Sequence, residues 1–194
     1  MRKLCPIVLV VLIALLITTD AATYRDAPST FVPDFKQTDS RWAQTMYSNH
    51  GDKAQTIKRG GCGICAAANV IAYLCDSSVT PVTMAKLSVN LGTCSDGGGT
   101  YPRFYTLLPY YYPVSVSVTC DLAQATACID QGGLVIMSSE RHARVIYAHT
   151  GDDYWLHDSG WGDDLMSQIM GHTTRAKLLT KNAQYYCYYR SEGG

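Results

Sequence analysis

One cysteine stands in a setting that could make its thiol reactive. Cys62 lies in the segment Gly60-Gly61-Cys62-Gly63-Ile64, directly before a run of small and apolar residues that is typical of a buried helix. A thiolate at a helix N-terminus faces the positive end of the helix dipole, which can lower a cysteine pKa from about 8.5 to between about 3.5 and 7.5. The flanking glycines also leave room for a substrate backbone. The sequence therefore predicts a nucleophilic thiol at position 62.

A nucleophile of this kind needs a base, and the base needs a group that orients it. Two stretches of β-forming residues on either side of a turn-like segment predict a hairpin. A five-residue turn that begins at His149 pairs Ala148 with Tyr154 in this hairpin. It leaves His142 diagonal to Asp158, about 7–8 Å away along the backbone and within reach of an imidazole–carboxylate hydrogen bond. We therefore predict His142 as the base and Asp158 as its partner.

The elements around these residues predict an α+β domain in which helix packs on sheet. The helix after Cys62 precedes a second helix, which Thr80 and Pro81 begin and Gly92 ends. Asp121 caps a third helix. The remaining predicted elements are the third helix over 122–131, a buried strand over 134–137, the hairpin and a last strand over 183–189.

Length and charge narrow the classes of function. The chain has 194 residues, enough for one ordinary domain with a core. It contains 16 lysines and arginines and 16 aspartates and glutamates, and its formal net charge is zero. Because no basic field exists to attract phosphates, nucleic acid is not expected as a partner.

The first residues predict a secretory signal peptide, residues 1–21. Arg2 and Lys3 precede an apolar run from Leu4 to Ile17, and small residues follow it. No later segment has the roughly 20 apolar residues that a membrane span needs. We therefore expect a secreted protein without stable membrane insertion after cleavage, with an irregular arm over residues 22–34 and the domain over residues 35–194.

The cysteine count is odd once the leader is removed. Of eight cysteines, Cys5 lies in the leader, and seven remain. In an oxidising compartment we expect three disulfides and one free thiol, Cys62. The six cysteines expected to pair, in an order that the sequence leaves open, are Cys65, Cys75, Cys94, Cys120, Cys128 and Cys187.

Several motifs together resemble the double-glycine-peptidase-like family, papain-like cysteine peptidases related to the bacteriocin-processing peptidases. The resemblance covers about residues 35–162. Arg144, opposite Asp158 in the predicted hairpin, stands where an apolar residue is usual in that family. The motifs in chain order are Gln37-x-Asp39-x-Arg41-Trp42, Thr56-Ile57, Gly61-Cys62-Gly63, Gly98-Gly99-Thr100, Gly132-Gly133-Leu134-Val135-Ile136, His142 and Asp158.

The resemblance implies a fold, a reaction and four site residues. The fold would be papain-like, with a central helix packed on an antiparallel sheet, and the substrate a peptide or protein. Cys62 would be the nucleophile, His142 the general base and acid, and Asp158 the group that orients it. Gln37 would share an oxyanion hole with the Cys62 backbone N–H. No metal or cofactor is implied.

Two other classes of function fit part of the sequence. Cys62 and Cys65 form a two-cysteine motif at a helix start, as in thiol–disulfide oxidoreductases. The segment before Gly60 is polar, however, where such proteins have a buried strand. A catalytically inactive, disulfide-bonded binding protein on the same scaffold is the other alternative, with the tyrosines at positions 110–112 as its contact surface.

Overall fold

The computed structural model describes residues 31–49, 55–139, 141–160 and 171–191. The predicted signal peptide and most of the predicted arm lie outside these residues. Among the described helices, none combines the length and the apolar character that crossing a bilayer requires.

Most helices of the described chain lie in its first half, and two lie further along. They are α1 (Ile57–Gly60), α2 (Cys62–Leu74), α3 (Pro81–Asn90), α4 (Arg103–Leu107), a 3-10 turn (Leu108–Tyr110), α5 (Leu122–Asp130) and α6 (Arg175–Leu179). The predicted caps are present, since the side chain of Thr80 accepts a hydrogen bond from the Thr83 N–H and that of Asp121 from the Ala123 N–H. Local capping chemistry therefore fixes the starts of α3 and α5.

The strands form a six-stranded sheet in which all pairs are antiparallel. Their order across the sheet is β1-β6-β2-β3-β4-β5, so the last strand of the described chain lies between the first two. The strands are β1 (Val114–Thr119), β2 (Leu134–Ser139), β3 (His142–Thr150), β4 (Asp153–Asp158), β5 (His172–Thr174) and β6 (Gln184–Arg190). The predicted α+β class is confirmed.

Both faces of the central strands are covered. On β2, Leu134 and Ile136 belong to the core that α2 fills, whereas Val135 and Met137 belong to a second core beneath α5 and α6. Successive side chains of a strand point to opposite faces, so a strand buried on both sides has an unbroken apolar sequence. This explains why β2 lacks the alternation of a half-exposed strand.

The β3–β4 hairpin differs from the predicted one at its turn. Thr150 pairs with Asp153, so the turn has two residues instead of five, and Gly151 adopts a φ of 58° there. The predicted pair of Ala148 with Tyr154 is therefore wrong. A bulge between positions 146 and 148 shifts the register back, and Arg144 lies opposite Asp158 as predicted.

The N-terminal segment packs into the domain earlier than expected. Val32, which the sequence assigned to an irregular arm, is 5% exposed and belongs to the core that contains α2. The Phe35 N–H donates a hydrogen bond of 2.8 Å to Oδ1 of Asn69, a buried residue in the middle of α2. The segment is thereby attached to the central helix.

Asn69→Ala is expected to lower the free energy of unfolding by about 2 kcal/mol. The substitution leaves the Phe35 N–H without its acceptor and also removes packed side-chain atoms from the core. Urea unfolding of the variant beside Asn90→Ala, a change at an exposed residue of α3, measures the loss. Equal stabilities of the two variants would contradict this role of Asn69.

Candidate active site

A cleft of about 940 Å³ opens where the N-terminus of α2 meets the β2–β3 end of the sheet. Cys62, His142 and Gln37 line it, together with Gly160. Three of the four predicted site residues therefore share one cavity, although they are far apart in the sequence. The fourth, Asp158, is buried behind His142 at 4% exposure.

Cys62 is the first residue of α2, with Gly61 as its N-cap. The neighbouring glycines are required because other parts of the protein pack closely against them, and not only because a substrate backbone needs room. A Cβ atom on Gly63 would lie 2.6 Å from the Tyr105 hydroxyl and from the Thr100 side chain. The close packing of this glycine fixes the position of the helix start, and with it the sulfur.

His142 and Asp158 form the predicted pair. The imidazole Nε2 lies 2.6 Å from Oδ1 of Asp158, and the same oxygen accepts a hydrogen bond of 3.0 Å from the Gly160 N–H. The other carboxylate oxygen, Oδ2, accepts a hydrogen bond of 2.7 Å from Nε of Arg144. Both oxygens of this buried carboxylate are therefore hydrogen-bonded, which holds the imidazole in one orientation.

The thiol of Cys62 and the imidazole of His142 interact, and each shifts the pKa of the other. Because Nε2 of His142 faces Asp158, Nδ1 is the ring nitrogen left for the thiol. The backbone N–H groups of Ala143 and Gly63 also interact with the sulfur. The sulfur thus interacts with an imidazole that is itself hydrogen-bonded to the carboxylate.

The electrostatics of this chain favour a thiolate and an imidazolium. Burial raises the pKa of Cys62, but its interaction with His142 and with the backbone N–H groups of Ala143 and Gly63 together lower it by more, so the pKa lies below the usual thiol value. Burial lowers the pKa of His142, yet its bonds to Asp158 and Cys62 raise it to about 9. For Asp158, burial raises the pKa, whereas His142 and Arg144 lower it by more.

Gln37 lies beside the imidazole and is 7% exposed. Its backbone N–H donates to the Ser159 carbonyl oxygen at 2.9 Å, and its Nε2 donates to the Lys58 carbonyl oxygen at 2.6 Å. The amide nitrogen has two hydrogens, so this contact leaves one further donor. Oε1 has no hydrogen-bond partner among the described residues.

The N-terminal segment also holds the end of β4. Nζ of Lys36 donates to the Asp158 carbonyl oxygen at 2.7 Å and forms an ion pair of 2.9 Å with Asp34. Together with the backbone bond from Gln37 to Ser159, this contact fixes the chain on both sides of the carboxylate. Residues 34–37 therefore position Asp158 as well as supplying a residue to the cleft.

The structure adds two residues that sequence reasoning missed. Arg144 contacts the carboxylate of Asp158, and the predicted register, which already placed the two residues opposite each other, was the available signal. Gly160 packs on the imidazole, where a Cβ atom would lie 2.7 Å from Cε1 of His142. No local sequence signal marks that contact.

Gly160→Ala is expected to lower the rate of Cys62 alkylation by about tenfold. The added methyl group must displace the imidazole, and overpacking of this size typically costs about 1–3 kcal/mol. Gly97→Ala is the matched control, because a Cβ atom there meets nothing within 4 Å. Alkylation rates that match in both variants and the wild type would show that Gly160 does not position His142.

All seven cysteines of the described residues carry free thiols. The three expected disulfides are thus not formed in this structure, and their formation in an oxidising compartment stays a prediction. Cys65 is fully buried, whereas Cys120 is exposed and lines the cleft. Cys128 and Cys187 interact with each other in the second core.

No family model, curated protein or solved structure matches this chain significantly.

Proposed function

We propose that this chain is a papain-like cysteine hydrolase that cleaves a peptide or a related amide through a thioester on Cys62. The observation that carries the proposal is that Cys62 and His142 line one cleft and interact there, while Asp158 is hydrogen-bonded to the imidazole from behind. A nucleophile, a base and a group that orients the base form the arrangement that covalent catalysis needs. The resemblance of the motifs points to the same chemistry.

The reaction runs in two halves. The Cys62 thiolate attacks the carbonyl carbon of the substrate, and the imidazolium of His142 donates its proton to the leaving amine nitrogen as the C–N bond breaks. The product of this half is a thioester. Water then attacks the thioester carbon while His142 accepts its proton, which releases the carboxylic acid and restores the thiolate–imidazolium pair.

Gln37 is the proposed side-chain donor to the oxyanion. Its second Nε2 hydrogen and the backbone N–H of Cys62 would stabilise the negative charge on the substrate oxygen in the tetrahedral intermediate. The contact from Nε2 to the Lys58 carbonyl oxygen holds the amide group beside the cleft before substrate binds. This preorganisation matches the role that the motif Gln37-x-Asp39 has in the resemblance.

The thiol–disulfide alternative receives less support. Cys65, the second thiol of that motif, is fully buried, and burial raises its pKa well above the usual value. In addition, the residues directly before Cys62 form the short helix α1. A resolving thiol without solvent access is poorly suited to exchange with a protein disulfide.

The proposal is tested by cleavage of a mixed peptide pool. The wild-type protein, under reducing conditions that keep Cys62 free, should generate new peptide amino termini, which mass spectrometry after amine labelling detects. Cys62→Ala should generate none, whereas Cys120→Ala, a change at the other thiol lining the cleft, should still cleave. Absence of new termini with the wild-type protein, or equal cleavage by Cys62→Ala, would overturn the proposal.

A further inference from the structure

Among the described residues, every acidic or basic side chain that lines the cleft, His142 aside, belongs to a lysine or an arginine. Lys58, Arg59 and Arg141 are exposed and line the cavity, and no aspartate or glutamate is among the described residues that do so. The whole chain has equal numbers of acidic and basic residues, so this asymmetry is local. A cleft lined by one sign of charge concentrates ligands of the opposite sign.

A buried hydroxyl group in the same cleft has no partner. Ser139 is 5% exposed and lines the cavity, and its Oγ makes no hydrogen bond with the described residues. It pairs with His142 across the β2–β3 turn, and cross-strand neighbours of this kind point to the same face of a sheet. Buried polar groups are normally hydrogen-bonded, so this hydroxyl has a donor that no described residue uses.

Arg141 occupies the turn between Ser139 and His142 with a φ of 65°. This left-handed conformation suits glycine or asparagine better than arginine. The backbone of the turn therefore does not explain an arginine here, whereas its side chain adds a guanidinium group to the lining of the cleft that Ser139 also lines. Guanidinium and hydroxyl groups are both hydrogen-bond donors to a carboxylate.

We propose that the cleft binds substrates that carry carboxylate groups near the scissile bond, and so selects acidic peptides. Arg141, Arg59 and Lys58 attract the carboxylates, and Ser139 donates a hydrogen bond to one of them. The proposal names the substrate class of the proposed hydrolase and rests on that function for cleavage, but binding can be measured without turnover.

The test uses Cys62→Ala and three fluorescent peptides that differ only in carrying Glu, Gln or Lys at the same alternate positions, with amidated C-termini. Fluorescence anisotropy should give a Kd for the Glu peptide at least about fivefold below that for the Gln peptide, because two or three exposed ion pairs form. The Lys peptide should bind most weakly. Added salt should reduce the difference.

Two further variants on the Cys62→Ala background identify the residues. Arg59→Gln combined with Arg141→Asn should remove most of the preference for the Glu peptide over the Gln peptide, since Lys58 is the one described lysine or arginine left in the cleft lining. Asparagine accepts the left-handed turn, so the fold is retained. Lys86→Gln, which removes an exposed lysine from α3 away from the cleft, should keep the full preference. Equal binding of all three peptides would overturn the proposal, and so would a preference that the double variant leaves undiminished.

One control distinguishes the carboxylate of an acidic side chain from that of a chain end. A second comparison distinguishes failure of the proposed hydrolase from failure of the inferred specificity. If a Gln peptide with a free C-terminus binds as tightly as the Glu peptide, the carboxylate that the site binds is that of the peptide's chain end and not that of an acidic side chain. Tight binding of the Glu peptide without cleavage by the wild-type protein would contradict the hydrolase but not the inferred specificity. Cleavage at equal rates of the Glu and Gln peptides would contradict the specificity alone.

Discussion

Replacement of His142 by alanine is expected to lower kcat/KM for peptide hydrolysis by about 10³–10⁴-fold. The imidazole stabilises the Cys62 thiolate and transfers the proton to the leaving amine, and both roles disappear together. The variant should also lose rapid alkylation of Cys62 below pH 8, because burial then raises the pKa of the unpaired thiol.

His149→Ala is the matched control for this prediction. His149 also forms an imidazole–carboxylate pair on β3, with its Nε2 at 2.7 Å from Oδ1 of Asp130, but it lies outside the cleft. This variant should hydrolyse peptides at nearly the wild-type rate. Similar losses in both variants would show that the effect comes from the fold of the strand and not from the imidazole beside Cys62.

Gln37→Ala is expected to lower kcat by about 10²–10³-fold with little change in KM, which is the usual effect of removing one oxyanion donor. Alkylation of Cys62 by iodoacetamide forms no oxyanion, so the alkylation rate should stay near that of the wild type. The comparison of hydrolysis with alkylation therefore separates an oxyanion donor from a structural residue.

Gln124→Ala, at an exposed position of α5, controls for the loss of an amide side chain. Parallel losses of hydrolysis and alkylation in Gln37→Ala would indicate that Gln37 only supports the site through its bonds to Lys58 and Ser159. Unchanged hydrolysis would exclude a role in the oxyanion hole.

The sequence predicted the elements whose ends are set by local chemistry. Thr80 with Pro81 and the cap at Asp121 begin helices in the structure as predicted, because a capping side chain acts within one turn of its own position. Strand β1 was missed although its residues alternate between valine and serine. It is the edge strand of the sheet and is largely exposed, so its apolar residues do not form a buried run.

The hairpin that carries His142 shows why a correct contact can come from an incorrect turn. The turn is shorter than predicted, which alone would move one strand out of register, and the bulge near Tyr147 compensates. Arg144 therefore still faces Asp158. A bulge has no reliable signature in one sequence, so the contact between the base and the carboxylate could be predicted but its geometry could not.

The position of Gly160 could not be predicted, since it depends on the path of the chain after β4. Gly160 is only two residues beyond Asp158 in the sequence, but it packs on the imidazole of His142, which belongs to another strand, β3. The positively charged residues that line the cleft could not be predicted as a group for the same reason. Lys58 and Arg59 precede α2, whereas Arg141 belongs to a hairpin turn, and only the fold brings them to one cavity.

The thiol of Cys62 can be titrated directly in the native protein with iodoacetamide across pH, and mass spectrometry identifies the modified residue. The interaction with His142 lowers the pKa of Cys62, so rapid alkylation at this residue alone should begin well below pH 8. A second rise in rate is expected as His142 loses its proton near its pKa of about 9. A Cys62 that reacts only near the ordinary pKa of a thiol, or no faster in the wild type than in His142→Ala, would contradict the thiolate–imidazolium pair on which the proposed hydrolase depends.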